Sequence, residues 1–175
     1  MRRLLLPAIL TLLVLISLMI LPSPSAQTIG WEKYFYGNGV DSGYGVAADS
    51  DYVVVVGKYL NSTGYAKAFV AKLSKADGSL LWIKALKIHD NDEAYDVTVD
   101  GQGNIYVVGQ TQDGIAPPHY YGFAAKFDPY GNLQWSRIWD ETTNSTGRGV
   151  AVDSNGYVYV TGEIDIGTSY DCLIM

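Results

Sequence analysis

The chain has 175 residues, with 18 Asp and Glu against 12 Lys and Arg, a net charge of −6. That acidic balance repels phosphate backbones and excludes nucleic acid as an expected partner. One Cys and two His leave no intrachain disulfide and no clustered zinc or iron ligands.

In chain order, Arg2 and Arg3 precede an almost unbroken apolar run from Leu4 to Leu21, followed by Pro22-Ser23-Pro24-Ser25-Ala26. A positive start, an apolar middle and a small-residue end make residues 1–26 a secretory signal peptide, cut near Ser25 or Ala26. The competing reading is an uncleaved anchor, because an apolar run of 18 residues is just long enough to span a bilayer. Either way, residues 27–175 are expected outside the cytoplasm, secreted or at the cell surface. Without Arg2 and Arg3 they carry a net charge of −8.

After the leader the chain repeats. Trp31, Trp82 and Trp135 lie 51 and 53 residues apart, and Asp49, Asp100 and Asp153 keep the same two offsets. A period near fifty built from short strands and Gly-rich turns points to propeller blades. The copies run about 31–81, 82–134 and 135–175. In the second, Trp82–Ile88 and Tyr95–Val99 alternate in part as half-buried strands do, with His89–Glu93 as a polar break between them. Ile105–Gly109 is apolar throughout, which predicts an inner strand covered on both faces. A loop with Pro117 and Pro118 leads to a fourth strand at Phe123–Phe127. Helical periodicity is nearly absent after residue 30. The chain is therefore expected to be all-β: an incomplete, propeller-like array of about three four-stranded antiparallel blades.

The recurrent Asp49, Asp100 and Asp153 read as turn formers, because Asp accepts hydrogen bonds from amides two residues on and Gly tolerates the positive φ that follows. Gly57, Gly109 and Gly162 close the next strand, where a Gly marks a bulge or a tight approach of backbones. Ala68-Phe69-Val70-Ala71-Lys72, Asp128-Pro129-Tyr130-Gly131-Asn132-Leu133-Gln134-Trp135 and Val158-Tyr159-Val160-Thr161-Gly162 resemble the consensus of the SBBP β-propeller repeat. That resemblance covers essentially residues 31–175. It implies a propeller fold and an exported protein, and brings no assigned activity.

Closed propellers need four to eight blades, and the last copy stops inside a strand, with Tyr170–Met175 aligning to Lys67–Lys72. Two expectations follow: a fragment of a longer product, or assembly of chains through open end blades, for instance two threes into six.

The chemistry-bearing residues have plain readings. His89 and His119 read as exposed loop residues. Asp90, Asp92, Glu93 and Asp96 form an acidic loop without the turn Gly and bidentate Glu of an EF-hand. Asp77-Gly78-Ser79-Leu80-Leu81-Trp82 resembles a sialidase Asp-box, but its Gly is one position early, and Arg137 and Arg148 are the only arginines after the leader. Cys172, in a strand-like stretch, reads as packed rather than reactive. Of 14 tyrosines, Tyr34, Tyr36, Tyr106 and Tyr159 are expected within strands, whereas Tyr120 and Tyr121 flank a loop and suit a sugar or protein. Asn61 and Asn144 fit the glycosylation pattern. No catalytic, cofactor or metal residues emerge. The function expected is a non-catalytic exported binding or structural module, recognising protein or carbohydrate through loops Gly37–Ser42, Thr111–Tyr121 and Glu141–Gly147. The alternative is a piece of a propeller hydrolase or quinone-dependent oxidoreductase whose active site lies on further blades.

Overall fold

Runs of β-branched and aromatic residues punctuated by Asp- and Gly-bearing turns become eleven strands in the computed structural model, which describes residues 30–34, 41–139 and 144–174. They are β1 Ser42–Ala48, β2 Tyr52–Leu60, β3 Ala66–Ser74, β4 Leu80–Leu86, β5 Asn91–Val99, β6 Ile105–Gln112, β7 Tyr120–Phe127, β8 Leu133–Trp139, β9 Ser145–Val152, β10 Val158–Asp165 and β11 Tyr170–Ile174. No helix occurs among the described residues. The leader 1–26, Tyr36, most of loop 37–42, the start of loop 141–147 and the Cys172 side chain lie outside what is described.

Three antiparallel meanders result: β1-β2-β3-β4, β5-β6-β7-β8 and β9-β10-β11. They stack as an open, propeller-like array, with β5 packed against both β1 and β9. Where four strands per copy were expected, the third sheet has three among the described residues. Sheets and sequence copies are offset. Trp82 and Trp135, which open the second and third copies, lie in β4 and β8, the outer strands of the first and second sheets.

Two apolar seams hold the sheets together. Val54, Val56, Ala68 and Val70 of the first sheet meet Val107, Phe123, Ala125 and Phe127 of the second. Val108 and Ala124 of the second meet Val160, with Trp135, Trp139, Val150 and Val158 alongside. Phe123 and Val107 are wholly buried, and side chains of this kind contribute about 1.5–3 kcal/mol each on burial. Each seam, rather than any single sheet, keeps these side chains from water.

The turns are as read. Asp49 Oδ1 accepts from the amides of Asp51 and Tyr52 at 2.8 and 2.9 Å. Asp100 Oδ1 accepts from Gln102 and Asn104, and Asp153 Oδ1 from Asn155 and Tyr157, all at 2.9 Å. Gly103 and Gly156 supply the positive φ, +82° and +87°.

Several expectations are corrected. Gly57, Gly109 and Gly162 lie inside β2, β6 and β10, which run three residues further. Ile105–Gly109, by contrast, is the inner strand expected: it lies in β6 between β5 and β7 and is buried on both faces, while β5 is the innermost strand of that sheet. The polar break His89–Glu93 ends early, since β5 begins at Asn91. Tyr34 is 67% exposed and in no strand. In the last hairpin Ile164 faces Asp171 as Tyr59 faces Lys67, so Asp171, not Tyr170, holds the place of Lys67.

Candidate functional site

The innermost strands β1, β5 and β9 each carry a bulge at the same level. Pairing skips Tyr44 between Gly43 and Gly45, Tyr95 between Ala94 and Asp96, and Arg148 between Gly147 and Gly149. A bulge bends its strand and re-aims the extra side chain. The partner strand must then come unusually close: a Cβ on Gly57, Gly109 or Gly162 would collide with the carbonyl oxygen of Ser42, Glu93 or Thr146. This is the physical reason those three positions are glycine.

The three bulged side chains form a row. The Tyr44 and Tyr95 rings lie 5.4 Å apart, and the Arg148 guanidinium stands 4.8 Å over the Tyr95 ring. Charged neighbours fix them. Lys58 Nζ lies 2.7 Å from Glu93 Oε1, Tyr95 donates its hydroxyl to Glu93 Oε2 at 3.0 Å, and Arg148 Nε donates to Glu163 Oε1 at 3.2 Å. The hydrogen bond to Glu93 holds the Lys58 ammonium above its usual range. Burial, then the Glu93 charge, pushes the Tyr95 phenol up, so it stays a protonated donor.

Beyond Arg148 the row opens into a recess of about 200 Å³ lined by Gln110, Tyr120, Asn144, Thr146, Arg148 and Glu163. The Arg148 and Glu163 side chains remain 49% and 47% exposed, so both can reach a visitor. Thr146 donates its hydroxyl to Gln110 Oε1 at 2.9 Å, and Asn144 Oδ1 accepts from the Tyr120 amide at 3.0 Å, fixing two walls. One aromatic ring and several paired polar groups make a surface suited to hydroxyl-rich ligands.

The loops of this end meet at a rim beside the recess. Tyr121 is the hub: its ring lies 6.0 Å from His89 and is stacked 6.2 Å from His119, and its hydroxyl donates to Asp113 at 3.2 Å. His119 Nδ1 lies 3.7 Å from Asp113 Oδ2. The Ile115 amide, first among several donors, holds the Asp113 carboxyl below its ordinary value. Both histidines of the chain, read separately as loop residues, thus flank one tyrosine, and the His89 Nδ1 atom is buried without a hydrogen-bond partner.

The acidic loop is also corrected. Asp92 is wholly buried, because the Thr111 hydroxyl and the Ile88 and His89 amides all need an acceptor there. Glu93 pairs with Lys58, and Asp96 Oδ2 accepts from the Val150 amide in the next sheet. Among the described residues no three His, Cys, Asp or Glu side chains converge as metal ligands. Of the tyrosines, Tyr106 is buried, Tyr159 is 49% exposed and Tyr120 is 39% exposed at the recess. Asn61 Oδ1 organises its own exposed loop, accepting from the Thr63 and Tyr65 amides. Sequence reading missed the grouping of Tyr44, Tyr95, Arg148 and Lys58, which follow no common residue pattern. Their one signal was the recurring Gly on the partner strand.

Two stretches, 82–115 and 134–168, match the family model described as the SBBP beta-propeller repeat. Those two stretches, under half of the chain, are similar to SBBP repeats. The matched stretches bring β5, β6, β9 and β10, and with them Tyr95, Arg148 and Glu163, into the repeat itself. No curated protein matches the sequence. A crystal structure of a protein of unknown function from Bacteroides caccae is similar at 13% identity and a TM-score of 0.38, over 81% of this chain and 63% of that one. The chain spans less than two thirds of that protein's length.

Proposed function

We propose that this SBBP-repeat chain is an exported, non-catalytic binding module that takes a carbohydrate in the recess beside Arg148. The observation that carries this reading is the recess itself, where Arg148, Glu163, Gln110 and Tyr120 meet at the end of the bulge row. A planar guanidinium and a carboxylate pair well with adjacent sugar hydroxyls, and a tyrosine face packs against the apolar face of a pyranose. A net charge of −8 after loss of the leader disfavours polyanionic glycans, so neutral saccharides fit best. Export rests on residues 1–26 and on the family resemblance. The rigid seams support a fixed recess, and the rim at Tyr120 and Tyr121 gives a longer ligand further contact.

The test is a glycan array followed by calorimetry on the best hits with the exported chain. Arg148→Ala and Tyr120→Ala are expected to weaken binding at least about tenfold, while Tyr130→Ala, exposed at the opposite end of the sheets, leaves it unchanged. Binding insensitive to Arg148→Ala removes the recess from the reading.

A further inference from the structure

The turn between β2 and β3 is built like three others, with one change. Asp100, Asp128 and Asp153 each set Oδ1 on the amides two and four residues on, at 2.8–2.9 Å. A Gly of positive φ stands three residues after each: Gly103, Gly131 and Gly156. At Asn61 the same pattern returns. Its Oδ1 accepts from the Thr63 and Tyr65 amides at 3.0 and 2.9 Å, the Gly64 amide closes on its carbonyl at 3.0 Å, and Gly64 has φ +84°. This geometry uses an acceptor oxygen and nothing more, and a carboxylate supplies it in the other three turns. The Asn61 Nδ2 amide is therefore surplus to the turn, and it donates no hydrogen bond among the described residues.

Thr63 completes a pattern that the turn does not need either. Its hydroxyl donates to the same Asn61 Oδ1 at 2.8 Å, at a position where the other turns carry Gln102, Tyr130 and Asn155. Asn-x-Thr is the acceptor triplet for an N-linked glycan, and this one is on display. Ser62, Thr63, Gly64 and Tyr65 are exposed, and the space beside Gly64 is open. The stem is fixed: the Ala66 amide donates to Asn91 Oδ1, and Lys67 Nζ donates to the His89 and Asp90 carbonyls. The tip thus stands clear of the sheets on a rigid base.

The second triplet, Asn144-Ser145-Thr146, is shut in. Asn144 Oδ1 holds the Tyr120 amide of β7, and its carbonyl accepts from the Asp165 amide at 2.7 Å. Ser145 is 2% exposed; its hydroxyl accepts from the Gly122 amide and donates to the Trp139 carbonyl. The Thr146 hydroxyl, which the acceptor chemistry would need, is buried and committed to Gln110.

We propose that Asn61 is an N-glycosylation site and that the fold withholds Asn144. The Asn61 Nδ2 attacks the anomeric carbon of a lipid-pyrophosphate-linked oligosaccharide. The new C–N bond forms as the C–O bond to phosphate breaks, the amide gives up one proton, and lipid pyrophosphate leaves; nothing is oxidised or reduced. The proposal rests on the export of the chain, because such donors are used outside the cytoplasm, and is independent of what the recess binds. A glycan on Asn61 covers an exposed tip of the first sheet, whereas one on Asn144 would fill the recess that Asn144 lines.

The test is peptide mass spectrometry on the chain isolated from the cells that make it. Trypsin frees residues 59–67 and 138–148, each holding one triplet. The first is expected to carry a glycan on Asn61 and the second none. Asn61→Asp keeps the oxygen the turn uses and loses the glycan with an unchanged melting temperature; Thr63→Ala loses it and Thr63→Ser keeps it. In vitro, the folded, unmodified chain is given the lipid-linked donor and a transferase of Asn-x-Ser/Thr specificity. It is expected to be modified at Asn61 alone, while the two excised peptides are both modified. A bare 59–67 peptide, a glycan that survives Thr63→Ala, or a folded chain modified equally at Asn144 overturns the proposal. Because the in vitro arm needs no export, a bare native peptide beside a modified folded chain puts the failure in export rather than in the acceptor.

Discussion

Asp92→Ala tests whether the start of β5 is held by a buried carboxylate rather than by the strand alone. Asp92 Oδ1 accepts from the Thr111 hydroxyl at 2.6 Å and the His89 amide at 3.0 Å; Oδ2 accepts from the Ile88 amide at 3.2 Å and lies 3.7 Å from Lys67 Nζ. Truncation strands three donors, whereas Lys67 Nζ keeps the His89 and Asp90 carbonyls as acceptors. Each buried donor left without an acceptor costs about 1–3 kcal/mol, so about 4 kcal/mol is expected for the three together. In a domain of this size each kcal/mol moves the melting temperature by about 2–4 °C, so a fall of about 12 °C is expected. Asp92→Asn keeps one acceptor and turns an amide against the Ile88 N–H, costing about 1–2 kcal/mol and roughly a third of that fall. Thermal melts followed by circular dichroism read both variants. A melting point for Asp92→Ala within about 2 °C of the parent, or equal losses in the two variants, refutes the reasoning.

Gly109→Ala drives a methyl into the Glu93 carbonyl and is expected to destabilise by about 3 kcal/mol and to displace Tyr95, whereas Gly101→Ala, with open space around it, stays within about 0.5 kcal/mol in urea titrations. Trp82→Phe loses the bond to Pro129 and is expected to cost about 1 kcal/mol, and Trp82→Ala about 3 kcal/mol, in the same titrations. Acid should unfold the protein through its turns. The Ser79 amide holds the Asp77 carboxyl at about 2, and the Asn132 side chain and amide hold Asp128 below its ordinary value. The unfolded chain then binds more protons than the folded one, so stability is full above about pH 4 and lost as pH falls through the folded values. Melts from pH 6 to pH 2 should fall more shallowly for Asp77→Asn and Asp128→Asn than for the parent, and an unchanged slope counts against it.

How much was legible depends on where the constraint lies. Turns are written locally: Asp49, Asp100 and Asp153 act on amides two to four residues away, and the glycines that follow are the residues φ demands. Strand type and blade period follow for the same reason. The bulge row and its rim are set instead by pairings across strands and sheets. Nothing near Tyr95 announces a bulge, since the demand falls on Gly109 in another strand. Nothing near Asp92 announces burial, because the groups that need it are Thr111 and the amides of Ile88 and His89. The His89–Tyr121–His119 contact spans loops thirty residues apart and has no sequence period at all.

The offset between copies and sheets makes every copy a lender. Because Trp82 and Trp135 open new copies while hemming old sheets, excising one copy removes strands from two neighbours yet rejoins them in matching register. Arrays of this design lengthen or shorten by whole periods, each cut falling inside an outer strand and each rejoining restoring one.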